Sequence, residues 1–418
     1  MKNEQRQTYA LNRTYFLQQV MFWGGAVVLY AYKTQILSLK GYTAVEIGIL
    51  NSVELIAGAF FQIWIGNFAD RHAERFPLKY LISILAGGTM LLSVAFYRIG
   101  DCFPAMFFIS LGFGVTFTTI SPLLDSMSMA YVNRGYALNY AKGRTGGSIS
   151  WAVFCALAGI YCDRAGVRTL PLWLLAFSGI LLILLLLMPW KKLEKKPERG
   201  KQEVREDAGN VHSIGYIVRK KKYMLFLLAA VLLFMGYNLG TTFLIDVVTG
   251  LGGNNTHYGI SQFVMAIAEV PGALILLRSR GRIPLDKMML CCSVFMMLKA
   301  AVPAYCHNLW AVIAAQAFEM LGFGLFYAGS VYMISELLPK QDIVKGVTLC
   351  SVATVGIGEG LGSFLSGILR RAFGLYGLMR WSVYVSIVAV FLMVCMVRSD
   401  AADGNGCKAQ NICKNTGI

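Results

Sequence analysis

Apolar runs, each about the length of a membrane-crossing helix, follow one another from residue 15 to residue 397 and are separated by short polar or basic turns. A hydrocarbon layer about 30 Å thick takes about 20 apolar residues at a rise of about 1.5 Å per residue. By that measure the pattern predicts spans near 15–38, 44–68, 78–97, 104–130, 143–165 and 170–190. Six more follow near 223–249, 257–277, 287–306, 309–337, 344–369 and 378–397. The runs are too long for alternating barrel strands of about ten residues, and they are rich in Leu, Ala, Gly and Met, so helix is the expected form. The predicted fold class is an all-α polytopic membrane protein with twelve transmembrane helices.

The pattern also repeats. Phe108-Ile-Ser-Leu-Gly-Phe-Gly114 returns as Phe318-Glu-Met-Leu-Gly-Phe-Gly324, 210 residues later, and Arg75-Phe-Pro-Leu-Lys79 returns as Arg282-Ile-Pro-Leu-Asp-Lys287, 207 residues later. Two matches at nearly one offset imply a duplicated membrane unit. The expected organisation is a six-helix bundle over 1–190, a polar linker over 191–222, a second bundle over 223–397 and a tail over 398–418. The glycines concentrate within spans, as in Gly356-Ile-Gly-Glu-Gly-Leu-Gly362, where small side chains let helices approach closely.

Charged residues make up only 14% of the chain, against about 25% in ordinary soluble domains, which rules out a soluble protein. The net charge of +16 would fit a nucleic-acid partner, but its placement argues for topology instead. Of the 38 Lys and Arg, 28 fall in segments that share one side of the membrane: 1–14, 70–79, 131–142, 191–222, 278–287, 340–345 and 398–418. The positive-inside rule then puts both termini in the cytoplasm of a multi-pass cell-membrane protein. The other side holds scattered cations such as Lys40, Arg98, Arg164, Arg168 and Arg370. The first span is expected to stay uncleaved, since its polar flank carries no small-residue processing signal.

The ten cysteines lie mainly within spans without metal-ligand spacing, so free thiols are expected; Cys102 and Cys306 near the outer side leave a disulfide as a remote option. The sequon at Asn254-Asn-Thr256 faces outward. No phosphate-binding glycine loop and no His/Cys cluster is present among four histidines, which argues against an enzyme, a metal site or a cofactor.

Between spans 2 and 3 stands Gly66-Asn-Phe-Ala-Asp70-Arg71-His-Ala-Glu-Arg75. It resembles the Gly-x-x-x-Asp-Arg-x-Gly-Arg-Arg signature of the major facilitator superfamily. His72-Ala73 depart from that pattern, and the second-half counterpart Arg278-Ser-Arg-Gly-Arg282 lacks the acid. The resemblance implies two pseudo-symmetric six-helix bundles around a midplane site that opens alternately to each side. It also implies a charge lock formed by Gly66, Asp70, Arg71 and Arg75. A narrower resemblance links Gly143-Arg144-Thr-Gly-Gly-Ser148-Ile-Ser-Trp151 and Pro122-Leu-Leu-Asp125 to the lactose permease branch, the oligosaccharide:proton symporters. It implies substrate roles for Arg144, Trp151, Asp125 and, on span 8, Glu269. The same branch's helix 7 acids and their lysine partners correspond here to Asn238, Thr241, Gln316 and Val355, and its helix 10 histidine and glutamate to Glu319 and Gly322, so galactoside specificity does not carry over.

Ionisable side chains within hydrocarbon cost at least about 2.5–3.5 kcal/mol each on insertion scales, so each is a functional candidate. Asp125 and Arg144 are mirror-placed about the turn between spans 4 and 5, so they reach similar depth and a pair is plausible. Arg144, Ser148 and Trp151 share one helical face, offering a cation, a hydroxyl and an aromatic platform to a polar ring. Glu319 and Glu359 are likewise mirror-placed about the turn between spans 10 and 11. Glu269 precedes Pro271-Gly272, Lys299 is expected to snorkel or pair with a carboxylate, and Lys33 with Glu54 makes a further possible pair.

The sequence thus predicts proton-coupled symport of a small polar solute such as a sugar, glycoside or nucleoside, by a protein working as a monomer. The substrate set is Asp125, Arg144, Ser148, Trp151, Glu269 and Asn238; the proton set is Glu319, Glu359 and Glu269. Two alternatives remain: a proton-driven exporter, disfavoured because Gly146-Gly147-Ser148 lacks the proline of drug antiporters, and a non-transporting sensor on the same fold.

Overall fold

The computed structural model describes residues 2–72, 76–133, 136–188, 213–279 and 282–402. Helices dominate the described residues and no sheet forms among them. The first half holds α1 (Lys2–Ala26), α2 (Lys33–Leu39), α3 (Ala44–Arg71), α4 (Leu78–Arg98), α5 (Phe103–Asn133), α6 (Tyr140–Ala165) and α7 (Leu170–Leu187). A short α8 (Ile214–Arg219) leads into the second half: α9 (Lys221–Thr241), α10 (Leu244–Gly250), α11 (Asn255–Ser279), α12 (Leu285–Tyr305), α13 (Leu309–Ala315), α14 (Phe323–Leu337), α15 (Ile343–Ser351) and α16 (Gly360–Ala402). Among the described residues nine stretches are long and apolar enough to cross a bilayer. One of them, Lys340–Ser399, runs for 60 residues and turns at Gly374, where φ is +71°. The regions expected as spans 1 and 8 are helical too, but buried polar residues such as Gln18, Gln19, Lys33 and Gln262 leave them less apolar. The expected linker lies outside the described residues up to 212, as does the tail from 403.

The duplication seen in sequence is a duplication in structure. Pro77 and Pro284 precede α4 and α12 with nearly identical backbones (φ −56°, ψ 133° and φ −55°, ψ 136°), and each helix then runs 21 residues. Proline suits this position because its fixed φ and missing N–H cost nothing at a helix start. The repeated Gly-Phe-Gly is explained as well. A Cβ on Gly114 would strike the Glu54 carbonyl oxygen of α3, and one on Gly324 would sit 3.0 Å from the Glu269 carbonyl oxygen of α11. In both copies the second glycine lets its helix rest against the backbone of a neighbour at its acid-bearing residue.

Three expected spans are less regular than a plain helix. Span 1 passes through a π turn at Val27–Ala31, and span 11 through a π segment at Val352–Glu359. Span 10 breaks between α13 and α14 into a 3-10 turn, Gln316–Met320, followed by Leu321 and Gly322. Such departures re-aim side chains and recur at functional positions. Here they carry Tyr30, Glu359 and Glu319.

The two halves meet closely at the end opposite the basic loops. A Cβ on Gly159 would collide with the Asn255 carbonyl, one on Gly259 with the Cys155 carbonyl, and one on Gly367 with the Ala44 carbonyl. Tyr32 and Tyr258 cross there with rings 5.3 Å apart, and Tyr258 donates to the Ala31 carbonyl at 2.9 Å. At the basic end, a side chain at Gly66 would meet nothing within 4 Å. The Asp70 side chain and Arg75 of the expected charge lock lie outside what is described, and Arg71 ends α3 exposed. These contacts close the end opposite the basic loops.

Gly114→Ala is expected to cost about 1–3 kcal/mol through overpacking, read as a lowered thermal midpoint of the purified protein. Gly87→Ala, inside α4 with nothing within 4 Å of the added carbon, should leave the midpoint unchanged or raise it slightly.

Candidate functional site

Buried charge organises the second half of the cavity wall. Lys299 of α12 donates to Glu319 Oε2 at 2.5 Å, and both side chains are almost fully buried. Tyr237 of α9 completes the group: its hydroxyl donates to Glu319 Oε1 at 3.0 Å, and the Lys299 ammonium sits 4.6 Å from its ring centre. The ring stacks on Phe323 at 5.6 Å, and Phe323 in turn lies 5.9 Å from Tyr327. The break in span 10 makes this possible by placing Glu319 on the 3-10 turn. The break is packed in place by Gly272 of α11, where a Cβ would collide with the Met320 carbonyl. Pro271 sits inside α11 without interrupting it.

The first half holds a second buried pair. Lys33 bridges to Glu54 and also donates to the Leu50 carbonyl at 3.2 Å. Near the sealed end Arg370 pairs with Asp246, its guanidinium 4.3 Å from the Phe243 ring centre.

Asp125 and Arg144, expected to pair directly, are instead arranged around aromatic groups. Asp125 Oδ1 accepts from the Tyr15 hydroxyl at 3.3 Å and from Gln19 Nε2 at 3.2 Å. Arg144 lies with its guanidinium 4.9 Å from the centre of the Trp23 ring and acts on Asp125 electrostatically, without an ion-pair contact within 4 Å among the described residues. Room for this stacking comes from Gly147, whose missing side chain leaves space for the Trp23 indole. Trp23 meets Trp151 edge to face at 6.1 Å, and Tyr30 lies 6.5 Å from Trp151 and 5.9 Å from Phe117. Although enclosed by these rings, Tyr30 keeps 39% of its surface accessible, which leaves open space beside them. Ser148 is exposed.

Two carboxylates stand apart from this pairing. Glu269 of α11 and Glu359, at the end of the π segment, make no hydrogen bond or ion pair among the described residues. Glu269 feels Glu319, Lys299 and, across the cavity, Arg144; Tyr237 feels all of Glu319, Glu269 and Glu359. Glu359 also acts on Tyr30 in the opposite half. Glu319, expected alongside Glu359 and Glu269 as a proton carrier, is committed to Lys299. Asn238 is also committed in part: its Oδ1 accepts from Thr242 and Ser363 hydroxyls, each at 2.7 Å, tying α9 to α16 and leaving only its amide nitrogen to offer.

Tyr15, Gln19, Trp23, Tyr30 and Tyr237 are site residues that the sequence reading missed. The signal was available for three of them, since Tyr15, Gln19 and Trp23 recur every four residues on one face of α1. Trp23 Nε1, Gln19 Oε1 and Glu54 Oε1 are buried polar atoms with no partner. Cys102 and Cys306 are free thiols, so the remote disulfide does not form, and among the described residues no His/Cys/Asp/Glu group could hold a metal ion.

A duplicated helical bundle sealed at one end, with charged and aromatic groups converging on a mid-chain cavity, defines a transporter of the major facilitator type rather than an enzyme. The model of the MFS_1 like family matches residues 9–395, and the chain belongs to that family. It is 21% identical over 392 residues to "Uncharacterized transporter YwbF" of Bacillus subtilis (strain 168), covering 93% of this chain and 90% of that protein. Among solved structures, a mutant of the nucleoside transporter NupG superposes with a TM-score of 0.77 at 16% identity, covering 93% of this chain and 99% of that one. A D-xylose-proton symporter superposes with a TM-score of 0.66 at 12% identity, covering 93% and 97%. Identities this low establish a shared fold.

Removing one member of a buried pair strands the other charge, at a cost of about 3–5 kcal/mol. Lys33→Met should therefore lower the thermal midpoint strongly, and adding Glu54→Leu should recover most of the loss. A double variant no more stable than the single would show that the pair is not the source of the effect.

Proposed function

We propose that this protein is a secondary active transporter that couples protons to symport of a small polar solute, a sugar, glycoside or nucleoside, by alternating access. The observation that carries this reading is that two carboxylates, Glu269 and Glu359, have no hydrogen-bond or ion-pair partner among the described residues, while Arg144, Trp23, Trp151 and Tyr30 gather in the other half. A carboxyl held by a fixed cation has little reason to exchange its proton, whereas one without a partner changes charge with the protons that reach it. Glu319, tied to Lys299 and Tyr237, is assigned instead to the scaffold around the proton sites. The aromatic faces suit a ring-shaped solute, while Arg144 supplies the donors that its hydroxyls or base edge need. The likeness of Arg144, Trp151 and Glu269 to the lactose permease branch supports the same class of solute, and the changes at Asn238, Gln316 and Glu319 set this chain's selectivity apart from that branch.

In this reading the basic face is cytoplasmic, as the distribution of Lys and Arg favours, so the end closed by contacts between the halves is the outer one. The chain is a monomer in the cell membrane with twelve spans in two bundles, 1–190 and 223–397. Each chain contains both walls of the cavity and needs no second copy to complete the pathway.

Glu359→Gln and Glu269→Gln are tested in sealed vesicles for uphill uptake and for counterflow. Loss of proton-driven uptake with counterflow retained is the expected result for at least one of them. Full uphill uptake in both would remove them as proton carriers. Arg144→Lys should weaken solute binding by tenfold or more, because an ammonium cannot keep the planar stacking and forked donation of a guanidinium. Unchanged affinity in that variant would remove Arg144 from the binding site.

A further inference from the structure

One polar cluster plays no part in the cavity. At the sealed end Asp163, on the last turn of α6, reaches across to the first turn of α11 in the other half. Its Oδ1 accepts from the Asn255 backbone N–H at 3.1 Å and from Asn255 Nδ2 at 2.9 Å. Its Oδ2 accepts from the Thr256 backbone N–H at 2.9 Å and from the Thr256 hydroxyl at 2.6 Å. Both oxygens are thus used, and the two N–H groups they satisfy are among those that a helix start leaves unpaired. A carboxylate here also meets the positive end of the α11 dipole. Helix caps are normally local in sequence; this one comes from 92 residues away and from the opposite half.

The capped turn is held from other directions as well. Gln35 of α2 donates to Asn255 Oδ1 at 2.6 Å, and the Tyr32 hydroxyl points at the Asn255 carbonyl at 3.5 Å. Asn255 is therefore contacted by α2, by α6 and by the residue after the π turn, all first-half elements. For the sealed end to part, as alternating access requires of the other conformation, every one of these contacts must break, and the first turn of α11 must exchange its cap for water.

We infer that Asp163 is a positioning residue for transport: its cross-half capping of α11 sets the balance between the state sealed at this end and the state open there. The carboxylate remains open to solvent, which limits its contribution, and charge at a helix terminus contributes modestly at exposed positions. Its loss is therefore expected to shift the equilibrium on the order of fivefold rather than to unfold the protein.

The chain carries its own reporters. Cys155 and Cys162 are buried at the seam beside Tyr32, whereas Cys292 and Cys350 are buried in the separate core of the second half. The purified full-length protein is labelled with a maleimide over time, and modification at each cysteine is read by mass spectrometry, with exposed Cys102 as the internal rate reference. Asp163→Ala is expected to speed labelling at Cys155 and Cys162 about fivefold and leave Cys292 and Cys350 protected. Asp163→Asn should fall between wild type and Asp163→Ala, since an amide keeps one acceptor and loses the charge. Thr256→Val removes only the 2.6 Å bond from the other side of the seam and should shift the same two cysteines in the same direction by less. Should Asp163→Ala fail to fold, Thr256→Val alone decides. Unchanged labelling at Cys155 and Cys162 would overturn the assignment, and so would equal acceleration at all four buried cysteines, which marks general loosening. The readout needs no solute and no proton gradient, so it stands apart from the test of coupling.

Discussion

A charge removed from water must find a partner or stay within reach of solvent, and this requirement organises the protein. Lys33 with Glu54, Lys299 with Glu319 and Arg370 with Asp246 satisfy it by pairing, each between two different helices. These pairs fix helix against helix where hydrocarbon supplies no hydrophobic force to do so. Asp125, Arg144, Glu269 and Glu359 make no ion pair among the described residues. These four are where the pairing rule is relaxed.

Close helix contact is the second constraint, and glycine meets it in two ways. Within each half, Gly114 and Gly324 bring helices together behind Glu54 and Glu269, so the acid-bearing backbones are held rigidly. Between the halves, Gly159, Gly259 and Gly367 let backbone meet backbone at the sealed end. Contacts of this kind are dry and depend on shape, and they add little directionality. The polar cluster around Asn255 adds it, because four hydrogen bonds to one carboxylate can form in only one register.

Departures from regular helix sit at the candidate site. The π turn at Val27–Ala31 turns Tyr30 toward Trp151, the π segment at Val352–Glu359 ends on Glu359, and the 3-10 turn at Gln316–Met320 presents Glu319 to Lys299. Each exchanges regular backbone bonding for the placement of one side chain.

The sequence by itself determined the class of fold, the duplication and the list of intramembrane charges. Apolar length and glycine content are properties of single segments, and the repeated Pro and Gly-Phe-Gly positions fix the same local backbone wherever they occur. It also made the facing of Arg144, Ser148 and Trp151 legible, because helical periodicity alone decides it. Which charges pair was decided by tertiary structure. Glu319 and Glu359 look equivalent about their turn, yet only one meets Lys299, and Asp125 and Arg144 look like partners until Trp23, Tyr15 and Gln19 of α1 come between them. Asp163 gave no sign of its contacts, since its partners lie 92 or 93 residues on and two of the four donors are backbone N–H groups that almost any sequence possesses. Periodicity says which way a side chain faces along its own helix, but only the packing of helices distant in the chain decides what it meets there.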